Sequence, residues 1–218
     1  SGVDHRDYCL LLQATCTGIA MSDFTLQQLT DAYQDYFSVE HKISINATVL
    51  QSPLPDEVQL DNAIPAAFLM ASESSSLNNA ALRSLHRLGE LADELAHYLQ
   101  QQARKLDLLL QYILQQQDSL QHRYYTLSYG GSGCCFLSDT EFTPLQVLEL
   151  KIFLDNNDGA VFCYGQVLSC EPSGAQWQVK AVFNRMREED RELIVRASLH
   201  QQSRLLKLKA EQRQQDIR

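Results

Sequence analysis

The most regular hydrophobic pattern in the chain is a heptad repeat that runs from about residue 77 to residue 122. This stretch contains no proline and one glycine, and its apolar positions recur at alternating steps of three and four residues. That spacing is typical of the a and d positions of a coiled coil. The positions are Leu85, Leu88, Ala92, Leu95, Leu99, Gln102, Leu106, Leu109, Ile113, Gln116 and Leu120. A helix of about 45 residues would be roughly 68 Å long, which exceeds the core of a domain of this size.

The positions beside this seam indicate how many helices would pack together. Several e and g positions are apolar or aromatic, where a two-stranded coiled coil usually carries charges. They are Leu91, Ala96, Tyr98, Ala103, Leu110 and Tyr112. The wide apolar face favours three or four helices, and Gln102 and Gln116 within it would lower stability while fixing the register. We therefore predict that residues 71–123 form an oligomerisation helix. The alternative is a helix that folds back on the shorter helices of its own chain.

From residue 124 onward the pattern changes to short segments that are typical of β-strands. Turn signals rich in glycine, proline and asparagine separate them. The predicted strands are 124–129, 133–138, 146–154, 160–171 and 175–184. Residues 124–187 therefore predict a small antiparallel barrel or sandwich.

Two segments upstream are candidates for a further strand. Residues 7–14 (DYCLLLQA) are largely apolar, and as a sixth strand they would close a barrel, although a short helix is the other interpretation. Residues 42–50 (KISINATVL) alternate only weakly. We predict that the N-terminal segment, residues 1–70, contributes strand 7–14 to the barrel.

Helical spacing marks two segments outside the repeat. Leu26, Leu29 and Tyr33 recur at helical spacing within a predicted helix at residues 24–38. The predicted C-terminal helix, residues 188–218, begins with acidic residues, as the helix dipole favours. The predicted fold class is α+β, a small six-stranded antiparallel β-barrel with a long inserted coiled-coil-type helix and a C-terminal helix.

Charge and hydropathy exclude several classes of protein. The 218 residues carry a net charge of −9, which disfavours nucleic acid as a partner. The acidic excess lies in residues 1–125, with 7 Lys/Arg against 15 Asp/Glu, whereas residues 204–218 have 5 basic and 2 acidic residues. That basic end is a solvated helix end or a docking site for an acidic partner. No segment approaches the roughly 20 apolar residues of a membrane span, and no signal peptide is recognisable, so we expect a cytoplasmic protein.

The cysteines and histidines form no recognisable metal or catalytic site. The six cysteines include no CxxC pair, and none has a histidine at metal-ligand spacing, so we expect reduced thiols. The six histidines are scattered, and no nucleophile–base pair stands out. We therefore predict no metal, no cofactor and no enzymatic activity.

Three glycines within four residues make SYGGSG, residues 128–133, the best candidate for a ligand loop. The segment lacks the lysine of a phosphate-binding P-loop, and Cys134 replaces the last glycine of a nucleophile elbow. It also leads into a predicted strand, where a nucleotide-binding loop would lead into a helix. The simplest interpretation is a tight turn that joins helix to strand, with glycines at positive φ.

Two stretches near the end of the chain are similar to the PilZ family. WQVKAVFNRMREEDRELIVRASLHQQSRLL, residues 177–206, resembles the last strand, the turn and the closing helix of that family, and GQVLSCEPSGAQWQV, residues 165–179, resembles the hairpin before them. The resemblance covers about residues 124–206 and implies a six-stranded barrel followed by a helix. The heptad helix resembles an atypical subgroup that lacks the ligand motifs and assembles as a tetramer.

The resemblance also implies where a ligand would bind. PilZ domains that bind cyclic di-GMP carry an RxxxR segment and a (D/N)xSxxG motif, and paired arginines suit a dianion with two guanine faces. In SYGGSG, Ser128 stands at the Asp/Asn position, Gly130 at the serine position and Gly133 at the final glycine. In HRDYCLL, Arg6 is present but Leu10 stands four residues later. The resemblance therefore implies a degenerate site.

These observations together predict a non-catalytic oligomeric adaptor of bacterial signalling. It would act in type IV pilus function, motility or exopolysaccharide control, through protein contacts and without cyclic di-GMP. Its partners would be further copies of itself, as a tetramer, and a signalling or pilus-assembly protein. The alternative is a cyclic di-GMP receptor with a divergent site, which would use arginines such as Arg123, Arg185 or Arg187.

Overall fold

The computed structural model describes residues 25–34, 37–72, 90–155 and 158–215. The predictions about Arg6, strand 7–14, Leu85 and Leu88 lie outside these residues. In chain order the elements are α1 Leu26–Gln34, β1 Ser38–Glu40, β2 Ser44–Val49, α2 Glu57–Ala63, α3 66–72, α4 Glu90–Gln117, β3 Arg123–Gly130, β4 Gly133–Ser138, β5 Val147–Phe153, β6 Ala160–Ser173, β7 Gln176–Arg185 and α5 Glu188–Gln215.

Six strands close into an antiparallel barrel. Around the barrel the order is β3, β2, β5, β6, β7 and β4, and the pairing of β4 with β3 completes the circle. One edge of β3 is shared, because β2 pairs with its first residues and β1 pairs with its last three. The predicted six-stranded antiparallel barrel with a long helix is thus confirmed.

The barrel core consists of side chains that alternate along each strand. On β5, Leu148, Leu150 and Ile152 point inward and are buried, whereas the residues between them are only half-buried. Phe136 packs edge-on against Phe142 inside the same core. Three residues of α5 join this core, so the C-terminal helix is an integral part of the domain: Leu193, Ile194 and Ala197.

A second cluster lies outside the barrel and attaches α4 to it. Leu60 of α2 and Phe68 of α3 pack with Phe162 of β6. Leu114, near the end of α4, is buried in this cluster, and Leu110 packs at its margin. The last two turns of the long helix are therefore anchored to the outer face of the barrel.

The observed elements differ from the predicted ones in a few places. The five predicted strands coincide with β3 to β7 to within two residues. The strand that completes the barrel is β2, from the weakly alternating segment, because Ile45 and Ala47 point into the core. The α-helix predicted to reach residue 123 ends at Gln117, and a 3-10 turn, Leu120–His122, follows. The helix predicted at 24–38 is described from Leu26 to Gln34, and Ser38, at its predicted end, lies in β1.

Within the described ranges, the helices are too short or too polar for any of them to cross a lipid bilayer.

Candidate functional site

The SYGGSG segment forms the hairpin between β3 and β4, and the chain's own N-terminal elements cover it. Strand β1 pairs with the end of β3, so that Glu40 lies opposite Ser128 and Ser38 lies opposite Gly130. A Cβ on Gly130 would overlap the carbonyl oxygen of Phe37. Glycine is needed here because another backbone segment lies against it.

Gly133 is constrained in a similar way from the other side. A Cβ at this position would overlap the carbonyl oxygen of Ala181 and the ring of Tyr33. The expectation that these glycines adopt positive φ is wrong, because in the described part of the chain the glycines with positive φ are Gly159 and Gly174. Close approach of neighbouring elements explains Gly130 and Gly133.

The polar groups of the hairpin are used within the chain. The hydroxyl of Ser132 donates to the carbonyl oxygen of Tyr33 (2.9 Å), and its own carbonyl accepts from the amide of Phe183 (2.8 Å). The carbonyl oxygen of Gly131 accepts from Nη1 of Arg191 on α5. Helices α1 and α5 thus both bond to the loop in which the family motif would present its ligand contacts.

Tyr33 of α1 lies against the hairpin, with its ring beside Gly133. Burial raises the pKa of Tyr33 well above its ordinary value, nearby Cys134 and Cys135 add to the rise, and Ser128 opposes it. Tyr33 therefore covers this side of the hairpin with an uncharged, partly buried ring.

Two of the three arginines that a divergent ligand site would need are paired with carboxylates. Nη2 of Arg123 lies 2.6 Å from Oδ2 of Asp118. Arg187 donates two hydrogen bonds of 2.9 Å to the buried carboxylate of Asp190. Burial raises the pKa of Asp190, and the bonds from Arg187 oppose that rise. Arg185 has a buried Nε without a hydrogen-bond partner and donates from Nη1 to a backbone carbonyl.

Helix α4 presents an apolar stripe to solvent. Five of the predicted a and d residues have large exposed side chains. They are Leu95, Leu99, Leu106, Leu109 and Ile113. Tyr98 and Tyr112, at g positions, are also exposed, whereas Gln102 is half-buried.

The remaining predicted seam residues lie at the ends of this stripe. Gln116 is exposed in the last turn of α4. Leu120 is 77% exposed and lies in the 3-10 turn, so the heptad pattern continues one step beyond the α-helix. Ala92 lies on the described helix.

The opposite face of α4 contacts the barrel. Leu110 and Leu114 occupy e and b positions of the heptad and pack on the cluster outside the barrel. Packing against the chain's own shorter helices thus applies to this side of α4, and assembly through the other side stays a prediction. The chain itself covers the e and b side near the C-terminal end, and the a, d and g side is exposed.

One buried amide holds the junction between α4 and the barrel. Nδ2 of Asn46, on β2, donates to Oδ1 of Asp118 (2.7 Å) and to the carbonyl oxygen of Ser119 (3.3 Å). Its Oδ1 accepts from the amide of Ser119 (2.7 Å). Asn46 is 3% exposed. All the polar atoms of its side chain thus bond to the turn that links α4 to β3.

Sequence patterns had not marked Asn46 or Tyr33 as important for the site. Asn46 lies in a weakly alternating strand, and the residue that it bonds, Asp118, is 72 positions away. In the sequence, Tyr33 stands out only for its helical spacing. In both cases the importance arises from a partner that is distant in sequence.

Comparison with known proteins identifies a family model that fits part of this chain. Residues 99–200 match the model of the PilZ domain. A search among curated proteins found no match.

Several solved structures are similar to the chain. A pathogenic protein from Xanthomonas campestris, described as a tetrameric PilZ domain self-assembled via an unusual helical bundle, is 15% identical with a TM-score of 0.51, over 81% of this chain and 94% of that protein. The Bacillus subtilis inhibitor of motility is 7% identical with a TM-score of 0.42, over 78% of this chain and 52% of that protein. The K. pneumonia protein MrkH is 15% identical with a TM-score of 0.34, over 42% and 41%.

Proposed function

We propose, from the match of residues 99–200 to the PilZ domain model, that the chain is a non-catalytic oligomeric adaptor. It would assemble through α4 and would not bind cyclic di-GMP. The observation that carries this proposal is the exposed apolar stripe of α4. A helix with such a stripe normally buries it against another element. The described elements of the chain cover only its opposite face.

The number of chains that we propose for the assembly rests on which heptad positions of α4 stay exposed. Since Leu110 packs on the chain's own barrel, it does not widen the face available to other helices. The aromatic g positions, Tyr98 and Tyr112, do widen it. A stripe of a, d and g positions favours bundles of more than two helices. A tetramer is the order we propose, in keeping with the description of the Xanthomonas protein of similar fold.

The closed hairpin supports the part of the proposal that concerns the ligand. Ser132 and the carbonyl of Gly131 both make hydrogen bonds within the chain, and β1 pairs with the backbone at Ser128. A dinucleotide at this position would have to displace α1 and β1, and the bonds lost would offset those gained. We therefore favour recognition of proteins over recognition of a nucleotide.

The proposed setting comes from the family. PilZ-domain proteins take part in bacterial signalling, and the setting that we propose is cytoplasmic control of type IV pili, motility or exopolysaccharide. The partner would be a signalling or pilus-assembly protein. The residues of the chain do not by themselves select among these.

The assembly is tested by placing a charge in the stripe. Leu106→Glu puts a carboxylate at an a position that is exposed in the single chain. Assembly would bury this charge without a partner, and the free energy of its desolvation should prevent the bundle from forming. We expect the wild-type mass, by sedimentation equilibrium, to be near four times 24.7 kDa, and that of the variant to fall toward one chain.

The matched control is Gln101→Glu, which adds the same charge at a c position of the same helix. We expect this control to keep the wild-type mass. An unchanged mass for Leu106→Glu, with circular dichroism showing an intact helix, would rule out assembly through the stripe.

A further inference from the structure

A cleft of ≈ 380 Å³ lies between α5 and the rim of the barrel, on a different element from the α4 stripe. Four parts of the chain line it: the turn between β1 and β2, Tyr129 on β3, the pair Asp155 and Asp158 between β5 and β6, and the middle of α5. Tyr129 and Ala197 form a buried floor. The proposed assembly does not use this cleft.

The acidic residues of the cleft already have histidine partners. Nε2 of His41 lies 2.8 Å from Oδ2 of Asp155, and its Nδ1 lies 3.0 Å from Nε2 of Gln201. Nδ1 of His200 lies 3.8 Å from Oδ1 of Asp158. Asp155 is thus hydrogen-bonded to His41, whereas Asp158 lies near His200 at a distance too long for a hydrogen bond.

The cationic side chains of the cleft lie on the helix side. Arg204 and Lys207 lie on adjacent turns of α5, and both are exposed. In the described part of the chain, neither has a carboxylate within 4.0 Å, although Arg204 lowers the pKa of Asp158 against the larger effect of burial, which raises it. Beyond the cleft, Lys209 and Arg213 continue the basic character with one intervening acid, Glu211.

We propose that this cleft binds an acidic peptide segment of a partner protein. Carboxylates of the peptide would pair with Arg204 and Lys207, and an apolar side chain would lie over Tyr129 and Ala197. This inference rests on the adaptor function proposed above, since it supplies the surface that holds the partner.

Charge distribution favours a peptide over other anions. Asp155 and Asp158 form the wall opposite the cations, so a uniformly charged polyanion such as RNA would meet repulsion on that side. A peptide can place its carboxylates on the helix side and uncharged groups on the loop side.

The test uses a fluorescein-labelled peptide of glutamate and leucine and a matched peptide of glutamine and leucine. Binding is measured by fluorescence anisotropy at low and at physiological ionic strength. We expect the full-length protein to bind the acidic peptide and to bind the glutamine peptide much more weakly. The charge reversal Arg204→Glu/Lys207→Glu is expected to weaken binding at least about tenfold.

The control is Lys209→Glu/Arg213→Glu, which changes the net charge of the same helix by the same amount beyond the cleft. We expect it to weaken binding by less than about threefold. Equal losses for the two variants would overturn the cleft as the site. Failure of the wild-type protein to bind the acidic peptide would do the same.

Two further measurements separate this proposal from its competitors. Tighter binding of RNA or of phosphatidylglycerol vesicles than of the peptide, lost on reversal of Arg204 and Lys207, would overturn the peptide as occupant. The Leu106→Glu variant should bind the peptide with the same dissociation constant per chain as the wild-type protein. Each protein is titrated into the labelled peptide until the anisotropy reaches its plateau. Peptide binding by a wild-type protein that proves to be monomeric would refute the assembly and leave the cleft standing.

Discussion

At the scale of single residues, Asn46 has the most demanding position that we find. Its amide lies between a carboxylate and a backbone amide, so both its donor and its acceptor are required. A buried polar side chain of this kind stabilises only while every bond is made. Its replacement should therefore be costly even when the shape is kept.

We predict that Asn46→Asp destabilises the fold, because it brings a second carboxylate against Asp118 and removes the Nδ2 donor. The free energy of unfolding should fall by about 2–4 kcal/mol, measured by urea denaturation near neutral pH. Asn62→Asp, on an exposed face of α2, is the control and should change stability by less than about 0.5 kcal/mol. If the free energy of unfolding falls equally in the two variants, the hydrogen bonds of Asn46 do not stabilise the junction.

A second prediction at this scale concerns pH. Burial, and then the charges of Asp158 and Asp155, raise the pKa of Tyr129 from 10.0 to about 12. Because the folded state holds this proton more tightly than the unfolded state, the contribution to stability is complete below pH 10 and is lost as the pH rises toward 12.

Tyr129→Phe removes this titration. Between about pH 9 and about pH 11, the wild-type free energy of unfolding should fall by about 1.4 kcal/mol more than that of the variant. Urea denaturation at the two pH values gives the difference. Tyr125→Phe, at an exposed tyrosine, should keep the wild-type dependence. Parallel curves for Tyr129→Phe and the wild type would contradict the prediction.

At the scale of elements, α4 combines two patterns in one sequence. Its C-terminal turns use e and b positions to bind the barrel, and its a, d and g positions remain exposed. Gln102 lies at a d position in the proposed seam, where a polar side chain would limit the stability of a bundle and select its register.

We predict that Gln102→Leu stabilises the assembly by about 1–2 kcal/mol per chain or changes its order. Thermal unfolding followed by circular dichroism and sedimentation equilibrium report the two effects. Gln101→Leu, at a c position, is the control and should change neither. If melting temperature and mass are both unaltered in Gln102→Leu, then Gln102 lies outside the seam.

Elements whose signals are local were predictable from the sequence. Strands β3 to β7 follow from alternation and intervening turn residues, because each strand carries its own pattern. Strand β2 was the weaker candidate, since the small Ala47 replaces a large apolar residue on its inward face. Asn46 is buried by the α4 junction rather than by the barrel core, and a contact 72 residues away leaves no local pattern.

At the candidate site, too, local patterns were predictable and contacts between distant residues were not. The sequence drew attention to Ser128, Gly130 and Gly133, and their interpretation as a degenerate ligand motif stays a prediction. The reason for the two glycines was not predictable, because Phe37, Ala181 and Tyr33 approach them from three separate segments. The cleft on α5 was likewise hidden, although the basic character of residues 204–218 had suggested an acidic partner.

At the scale of the whole molecule, the closed hairpin predicts that the protein does not respond to cyclic di-GMP. Isothermal titration of the wild-type protein should give no binding heat at ligand concentrations typical of PilZ receptors, and the sedimentation mass should be the same with and without the nucleotide. The reason is that α1, β1 and α5 occupy the hydrogen-bonding groups of the loop.

Binding of the nucleotide would instead favour the divergent receptor. Two variants would then locate the site. Loss of binding in Ser128→Ala would place it at the hairpin, whereas loss in Arg204→Glu/Lys207→Glu with Ser128→Ala unaffected would place it in the cleft on α5. Either result would contradict the adaptor proposal.

The attachment of the barrel at one end of α4 has a consequence for how strongly partners are held. The described helix of 28 residues extends over about 42 Å, and the apolar contacts described between it and the barrel lie in its last two turns. A bundle built from the exposed stripe would carry one cleft per chain. Weak single contacts would then add through avidity, which can raise overall affinity by about 10²–10⁴ when several sites are engaged together. A partner with repeated acidic segments would be retained, and a partner with one such segment would exchange rapidly.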